Sequence, residues 1–319
     1  MEMKNKKLHI SIIIPVYNGE TTIAKTLESL VKQTTKPDEI ITINDGSVDN
    51  SLEILNKKNS NLEYRIINHE KSWGLAKTYN EGIRNSTGEL IITMHQDVIL
   101  MEDSLEKLIG PFFDENVIAT AHIVMHPMNI WMKYNFWQKC FFSRLAGKEF
   151  SGIDGKFDCF RKKALQKVGL FNEKIFHSAG EDGDIVFRLK KIGKIVQSKA
   201  TIIHLHKISD NFSFWDIILK QKQYSEAQGV LLRLGRINTF KGFFKSFFRE
   251  ILIISLFIPF FNIFSLFLII LYSFLYTKKV YLTQFNDKRI FLLPILNIHI
   301  LFVSLFYSIK GFIKKKQTI

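Results

Sequence analysis

The chain opens its first apolar stretch with Leu8-His-Ile-Ser-Ile-Ile-Ile-Pro-Val16, and the polar Tyr17-Asn18-Gly19 follows at once. A short β-branched run that ends at a proline suits a buried parallel strand. Residues 21–32 then carry Ile23, Leu27, Leu30 and Val31 at helical spacing. Strand, loop and helix repeat from there. Residues 39–43 read as a second strand, 44–50 as a loop, and 51–57 as a helix with Asn50 or Ser51 as N-cap. An apolar stretch at 64–67, a helix over 74–84 and a strand over 89–94 continue the pattern. Such alternation predicts a mostly parallel sheet with helices on both faces. Ligands of such sheets bind beyond the carboxyl ends of the strands, so the loops beginning at Tyr17, Asn44 and His95 should line one crevice.

With 319 residues, the chain can build one α/β domain of about 200 to 250 residues and an appendage. Its 44 Lys and Arg against 30 Asp and Glu give a net charge of +14. Residues 213–319 hold 15 basic and 4 acidic side chains, so +11 sits there and +3 in residues 1–212. That excess flanks apolar segments instead of forming a basic stripe, which points to anionic lipid and away from nucleic acid. Cys140 and Cys159 show neither metal-type nor disulfide-framework spacing, so two reduced thiols are expected. Lys4, Lys6 and Lys7 precede an apolar run that is short, broken by Pro15 and without a small-residue cleavage site, so no signal peptide is expected.

Residues 251–276 are uncharged and almost wholly apolar, 26 positions that as one helix could cross about 30 Å of hydrocarbon. Residues 290–309 offer a second span of 20, with Lys278, Lys279, Lys288 and Arg289 between the two and Lys314, Lys315 and Lys316 after. The expectation is a C-terminal hairpin of two transmembrane or membrane-embedded helices. Basic residues on both sides leave its topology undecided. Ahead of it, residues 239–249 mix phenylalanines with Lys241, Lys245 and Arg249, the make-up of an interfacial helix. Residues 126–160 are aromatic and basic together, which suits either core or a membrane-facing acceptor lip.

Four motifs stand in order: Ile14-Pro-Val-Tyr-Asn18, Asn44-Asp-Gly-Ser47, Gly88-Glu89 leading to His95-Gln-Asp97, and Glu181-Asp-Gly-Asp184. Together they resemble glycosyltransferase family 2, of the membrane-anchored cell-envelope type of bacteria or archaea, over roughly residues 9–210. The resemblance implies a GT-A fold, Rossmann-like, with a nucleotide-sugar half at about 1–100 and an acceptor half at about 101–212. Amphipathic juxtamembrane helices at 213–249 and the hairpin at 250–319 would follow.

By that resemblance Pro15, Tyr17, Asn18, Asp45, Gly46, Gln96 and Asp97 contact the nucleotide-sugar, Tyr17 stacking near the base and Asp45 accepting from it. Asp97 would ligate a divalent cation, Mg2+ or Mn2+, that neutralises the diphosphate leaving group. His95 stands where the family usually has an acid. His204, at the end of Ala200-Thr-Ile-Ile-His204, resembles the residue that completes this site, and His206 lies one alternation further on. Asp182 resembles the general base of an inverting transfer, with Glu181 and Asp184 as neighbours that equally suit a helix N-terminus. Gly155 and Phe157 fall in the family's segment that shapes the acceptor site.

The function expected is transfer of a sugar from a nucleoside-diphosphate-sugar to a saccharide acceptor, lipid-linked, on the cytoplasmic face of the cell membrane, with membrane lipids as partners. Two alternatives remain: transfer onto a polyprenyl phosphate, which is already ionised and needs no base, and a catalytically silent nucleotide-binding scaffold. The sequence gives no reading of the oligomeric state.

Overall fold

The computed structural model describes residues 8–57, 62–177 and 179–314. Lys4, Lys6, Lys7, Lys315 and Lys316 lie outside them. Two compact units emerge, Met1–Met125 with Glu149–Lys207, and His126–Lys148 with Ile208–Ile319.

In the first unit β1 (Ile10–Val16), α1 (Ile23–Val31), β2 (Glu39–Asp45), α2 (Ser51–Asn56), β3 (Arg65–His69), α3 (Leu75–Asn85) and β4 (Leu90–Met94) follow the expected alternation. Next come β5 (Val98–Leu100), α4 (Ser104–Ile109) and β6 (Val117–His126), after which α5 (Met128–Trp131) and α6 (Phe136–Phe142) belong to the second unit. The first unit resumes with β7 (Lys148–Gly152), β8 (Phe157–Arg161), α7 (Lys162–Lys167), α8 (Glu181–Leu189) and β9 (Lys194–His204).

Among the described residues one sheet runs β3-β2-β1-β4-β8-β6-β9-β5, with β7 beside β6. β1 pairs in parallel with β2 and β4, β2 with β3, and β6 with β9. The antiparallel pairs are β8 with β4 and β6, and β5 with β9. Alternate residues of β1 feed two cores. Ile12 and Ile14 pack in one that contains Ile23, Leu27 and Leu30 of α1. Ile13 packs in another that contains Tyr79 and Ile83 of α3 and Ile185 and Leu189 of α8. Helices therefore cover both faces, which explains why the parallel strands read as continuous apolar runs. Pro15 lies beyond the last β1–β4 pair, Ile13 with Thr93, so its missing N–H costs that ladder nothing.

In the second unit α9 (Phe214–Arg233) opens with a capping box, in which the Asp216 carboxylate accepts from the Ser213 N–H at 2.8 Å. α10 (Phe240–Ser246), α11 (Phe248–Ile254), α12 (Asn262–Leu275), α13 (Lys278–Thr283) and α14 (Leu293–Ile313) follow. The aromatic segment at 126–148 resolves as core: Trp131, Tyr134 and Phe136 bury with Ile217, Ile218, Leu293 and Leu296. It thus packs with the C-terminal helices, whereas the sequence expectation counted it in the acceptor half.

The expected 26-residue span does not form. A 3-10 turn at Ser255–Phe257 ends α11, Pro259 cannot continue a helix, and Phe260 takes a φ of +69°. What remains, α12, has 14 residues, a rise of about 21 Å against the roughly 30 Å of a hydrocarbon core. α14 has 21 residues and the length to cross, so the C-terminus shows one long apolar helix in place of a clear hairpin. Its buried face is partly polar. The Ser304 and Ser308 hydroxyls donate to Glu250 Oε1 at 2.8 and 2.6 Å, and the Asn297 amide donates to the Ser273 carbonyl at 2.6 Å. Phe257, Phe260, Ile263, Phe264 and Phe291 are exposed.

α9 and α14 meet where glycine allows backbone to touch backbone. A Cβ on Gly229 would collide with the Ser308 carbonyl oxygen, and one on Gly311 with that of Glu226. Gly311→Val should therefore destabilise the second unit by at least about 1–3 kcal/mol. The check is a thermal melt in detergent, where an unchanged midpoint would show that the helices do not cross this closely.

Candidate active site

The loops at the carboxyl ends of β1, β2 and β4 are tied together as their polar composition requires. The Tyr17 N–H donates to Gln96 Oε1 and the Gln96 amide donates back to the Tyr17 carbonyl, both at 2.9 Å. Gln96 is thereby a clasp between two loops, and the Tyr17 ring, 51% exposed, is left free to stack. Asn18 adopts a φ of +51°; its N–H donates to Ser47 Oγ at 3.0 Å and its Oδ1 accepts from the Val48 N–H at 3.0 Å. Gly46 has a φ of +70°, and a Cβ there would stand 2.5 Å from the Lys71 carbonyl carbon. This turn admits glycine because Lys71 and Ser72 press on it.

Asp45 is buried and accepts from four donors: His69 Nδ1 at 2.8 Å, Ser72 Oγ at 2.8 Å, Trp73 N–H at 2.8 Å and Gly74 N–H at 3.1 Å. Burial alone would raise its pKa, but these hydrogen bonds, led by the Trp73 N–H, hold it below the ordinary carboxylate value. A carboxylate offers about four acceptor positions, all used here inside the chain. Contact between Asp45 and a base N–H then requires one of these donors to be exchanged. His69 Nε2 meets Glu81 Oε2 at 2.5 Å, and its ring stacks on Trp73 at 3.9 Å.

β5 pairs with β9 so that Val98 stands opposite His204, which brings Asp97 to a histidine 107 positions away. Asp97 Oδ2 is 3.2 Å from His204 Nε2, and Asp97 Oδ1 is 3.9 Å from His95 Nδ1. One ligand atom from each of the three lies within 4.8 Å of the others. His95 Nε2 and Asp97 Oδ1 are buried without a hydrogen bond. Burial lowers His95 to about 4, leaving a neutral imidazole. Burial would raise Asp97, but the charge and hydrogen bond of His204, with His95 beside it, hold the carboxyl well below the usual range. An ionised carboxylate, a neutral imidazole and open lone pairs fit a divalent cation. The His206 ring lies edge-on to His204 at 4.1 Å.

Glu181 and Asp182 open α8 as expected. Asp184 is buried and pairs within the helix with Arg188, whose Nη2 lies 2.7 Å from its carboxylate. Asp182 Oδ1 accepts from the Gly183 N–H at 2.7 Å. Glu181 is buried, with Oε2 lacking a hydrogen bond. Burial first and Asp182 second push the Glu181 carboxyl up to about 8; burial likewise raises Asp182, which also feels Asp154 and Asp158. One acid of the pair therefore keeps its proton near neutral pH while its neighbour can ionise.

Sequence reasoning missed a third group. His122 of β6 is wholly buried with Nδ1 3.0 Å from Asp158 Oδ1 and Nε2 3.4 Å from Asp154 Oδ1, and Lys156 Nζ is 2.6 Å from Asp154 Oδ2. The available signals were a lone histidine in an apolar strand and two acids four residues apart around Gly155. Phe157, expected at the acceptor site, is instead buried in the sheet core.

Residues 11–169 match the model of the family described as glycosyl transferase family 2. The chain belongs to that family. Among similar proteins, the chondroitin synthase of Pasteurella multocida strain Pm70 is 26% identical over 243 residues, 72% of this chain and 24% of that protein. The hyaluronan synthase of Pasteurella multocida is 28% identical over 207 residues, 63% of this chain and 20% of that protein. This family 2 glycosyltransferase thus spans about a quarter or less of the length of these two relatives. In fold it is similar to the mannosyltransferase PcManGT of Pyrobaculum calidifontis, solved with GDP-Man and Mn2+, with a TM-score of 0.59 and 13% identity over 98% of this chain and 89% of that one. The mixed, mostly parallel sheet is thus of the GT-A kind.

Glu181 supplies a pH test. The unfolded chain loses this proton near 4.5 and the folded chain only near 8, so stability falls as pH rises between those values. Glu181→Gln should remove that loss: its melting temperature should exceed that of the natural protein by more at pH 8.5 than at pH 5. A gap that does not change with pH would contradict the buried, protonated acid.

Proposed function

We propose that this glycosyltransferase performs an inverting transfer of a sugar from a nucleoside-diphosphate-sugar to a hydroxyl of a saccharide acceptor, lipid-linked, at the cytoplasmic face of a membrane. The observation that carries this reading is the pair formed by buried Glu181 and half-buried Asp182. An acceptor hydroxyl is a poor nucleophile until a carboxylate takes its proton, and an acid raised toward neutrality takes it most effectively. Asp182 is that base. Protonated Glu181 beside it limits the negative charge that α8 must hold in a buried site.

Asp97, His95 and His204 would hold Mn2+ or Mg2+, which when bound neutralises the charge of the diphosphate leaving group. Two imidazoles in the set favour Mn2+. The Tyr17 face takes the base, and the Gln96 clasp keeps that loop at a fixed distance from Asp97. Once base and diphosphate are held, the anomeric carbon is presented to Asp182 in one orientation, which is what proximity contributes to such a reaction.

The second unit supports membrane residence. Its exposed phenylalanines and isoleucines stand among Lys241, Lys245, Lys278, Lys279 and Lys288, apolar contact for acyl chains and cations for anionic headgroups. Attachment through α14 and the apolar face of α12 would confine enzyme and lipid-linked acceptor to one surface, raising their effective concentration.

The test uses the full chain in detergent with a panel of nucleotide-sugars. Turnover should vanish with EDTA and return with Mn2+, and Asp97→Asn should lose Mn2+ binding as read by electron paramagnetic resonance. Turnover that is indifferent to EDTA would overturn the cation's role, and no turnover of any donor would favour the silent scaffold. Asp182→Asn should lower kcat about 10²–10⁴-fold. A loss smaller than about tenfold would move the assignment to an acceptor that is already ionised, a polyprenyl phosphate.

A further inference from the structure

The cluster of His122, Asp154, Lys156 and Asp158 is not used by the mechanism above. Its ligand-atom spacing would admit a metal ion, but Lys156 already lies 2.6 Å from the exposed carboxylate and supplies the positive charge. A different ligand fits better.

The loop from Asp154 to Lys156 runs against the candidate cation site on one side, where the His95 N–H donates to the Lys156 carbonyl at 3.0 Å. A Cβ on Gly155 would stand 3.5 Å from His95 Nε2, and the charges of Asp154 and Lys156 act on Asp182 in opposite directions. A transferred sugar must lie between the cation that holds its diphosphate and the base that activates its acceptor. The Asp154–Lys156 loop stands beside the first of these and within electrostatic reach of the second.

The loop is built to stay there. Asp158, fully buried, accepts from the Asp154 and Gly155 N–H groups at 3.0 and 2.7 Å, and the Tyr79 hydroxyl donates to the Gly155 carbonyl at 3.0 Å. His122 stands between the two carboxylates, its Nε2 aimed at Asp154 with no hydrogen bond of its own. Asp154 is 30% exposed and Lys156 19%, so each keeps an open side. Asp154 has acceptor capacity left and the Lys156 ammonium has donors left.

We propose that Asp154 and Lys156 form the subsite that reads neighbouring hydroxyls of the transferred sugar, with His122 as a positioning residue, and that this subsite selects neutral hexoses or hexosamines over hexuronic acids. The carboxylate accepts from one hydroxyl and the ammonium donates to the next. A sugar carboxylate in place of the first hydroxyl would have no proton to give the Asp154 carboxylate and would meet like charge there, while the Lys156 ammonium is already engaged with Asp154 at 2.6 Å. This inference rests on the nucleotide-sugar reading of the site.

The test takes the full chain in detergent with Mn2+ and measures hydrolysis and Kd for UDP-glucose, UDP-N-acetylglucosamine, GDP-mannose and UDP-glucuronate, and Kd for UDP and GDP alone. The natural protein should turn over one of the three neutral donors and leave UDP-glucuronate untouched. For that donor, Asp154→Asn should weaken the nucleotide-sugar about tenfold and leave its nucleoside diphosphate within about twofold. His122→Gln should raise KM for the same donor with a smaller effect on kcat. If Asp154→Asn fails to bind the diphosphate, Lys156→Gln replaces it with the same expectation. Equal weakening of donor and diphosphate, no weakening of either, or hydrolysis of UDP-glucuronate as fast as a neutral donor would overturn the subsite. Failure of the natural protein on every donor would overturn the underlying reading instead.

Discussion

Asp97 and His204 meet 3.2 Å apart because β5 runs antiparallel to β9 with Val98 opposite His204. The rest of the site depends on this register. A shift of one residue would turn His204 to the other face of the sheet and leave the half-buried Asp97 carboxylate without its histidine partner. The β4 end, the Gln96 clasp and the Tyr17 loop all connect to the same point. Placing ionisable groups at the end of an apolar sheet is costly, and the structure offsets that cost locally: Asp97 with two histidines, Asp45 with four donors, Asp154 with Lys156, and Glu181 by keeping its proton.

Those solutions are what make the cleft chemically useful. Groups whose environments push them apart in pKa divide the work, so a neutral imidazole at His95 and an ionised Asp97 can share a cation while Asp182 remains available to take a proton. Activity and instability share one source here, since a raised carboxyl weakens the fold as it ionises.

Much of the parallel half was legible in the sequence because its information is local. The β-branched runs that became β1, β2 and β4 are buried on both faces, and the helices between them carry plain periodicity. Asp97 and Asp182 were legible too, since each sits in a short motif at the end of such an element. The pairings β8 with β4 and β5 with β9 join distant segments, and no local pattern records them. The pairing of β6 with β8 is equally non-local, so His122 went unseen as a partner of Asp154 and Asp158: it lies on another strand and looks like an ordinary core residue. The misread span had a different cause. Composition over residues 251–276 is apolar throughout, but Pro259 and the left-handed Phe260 end the helix whatever the hydropathy of their neighbours. Asp45 shows a further limit, because a motif names a residue without revealing that its acceptor positions are already used.

A single displacement in which Asp182 activates the acceptor on the face opposite the leaving nucleotide must invert the anomeric centre, and stereochemistry reads that directly. Proton NMR of the glycoside formed from an α-linked nucleotide-sugar reports the new anomeric centre. A β-linked product is expected from Asp182-assisted attack. An α-linked product would contradict it, because retention requires a route other than one in-line attack assisted by one base.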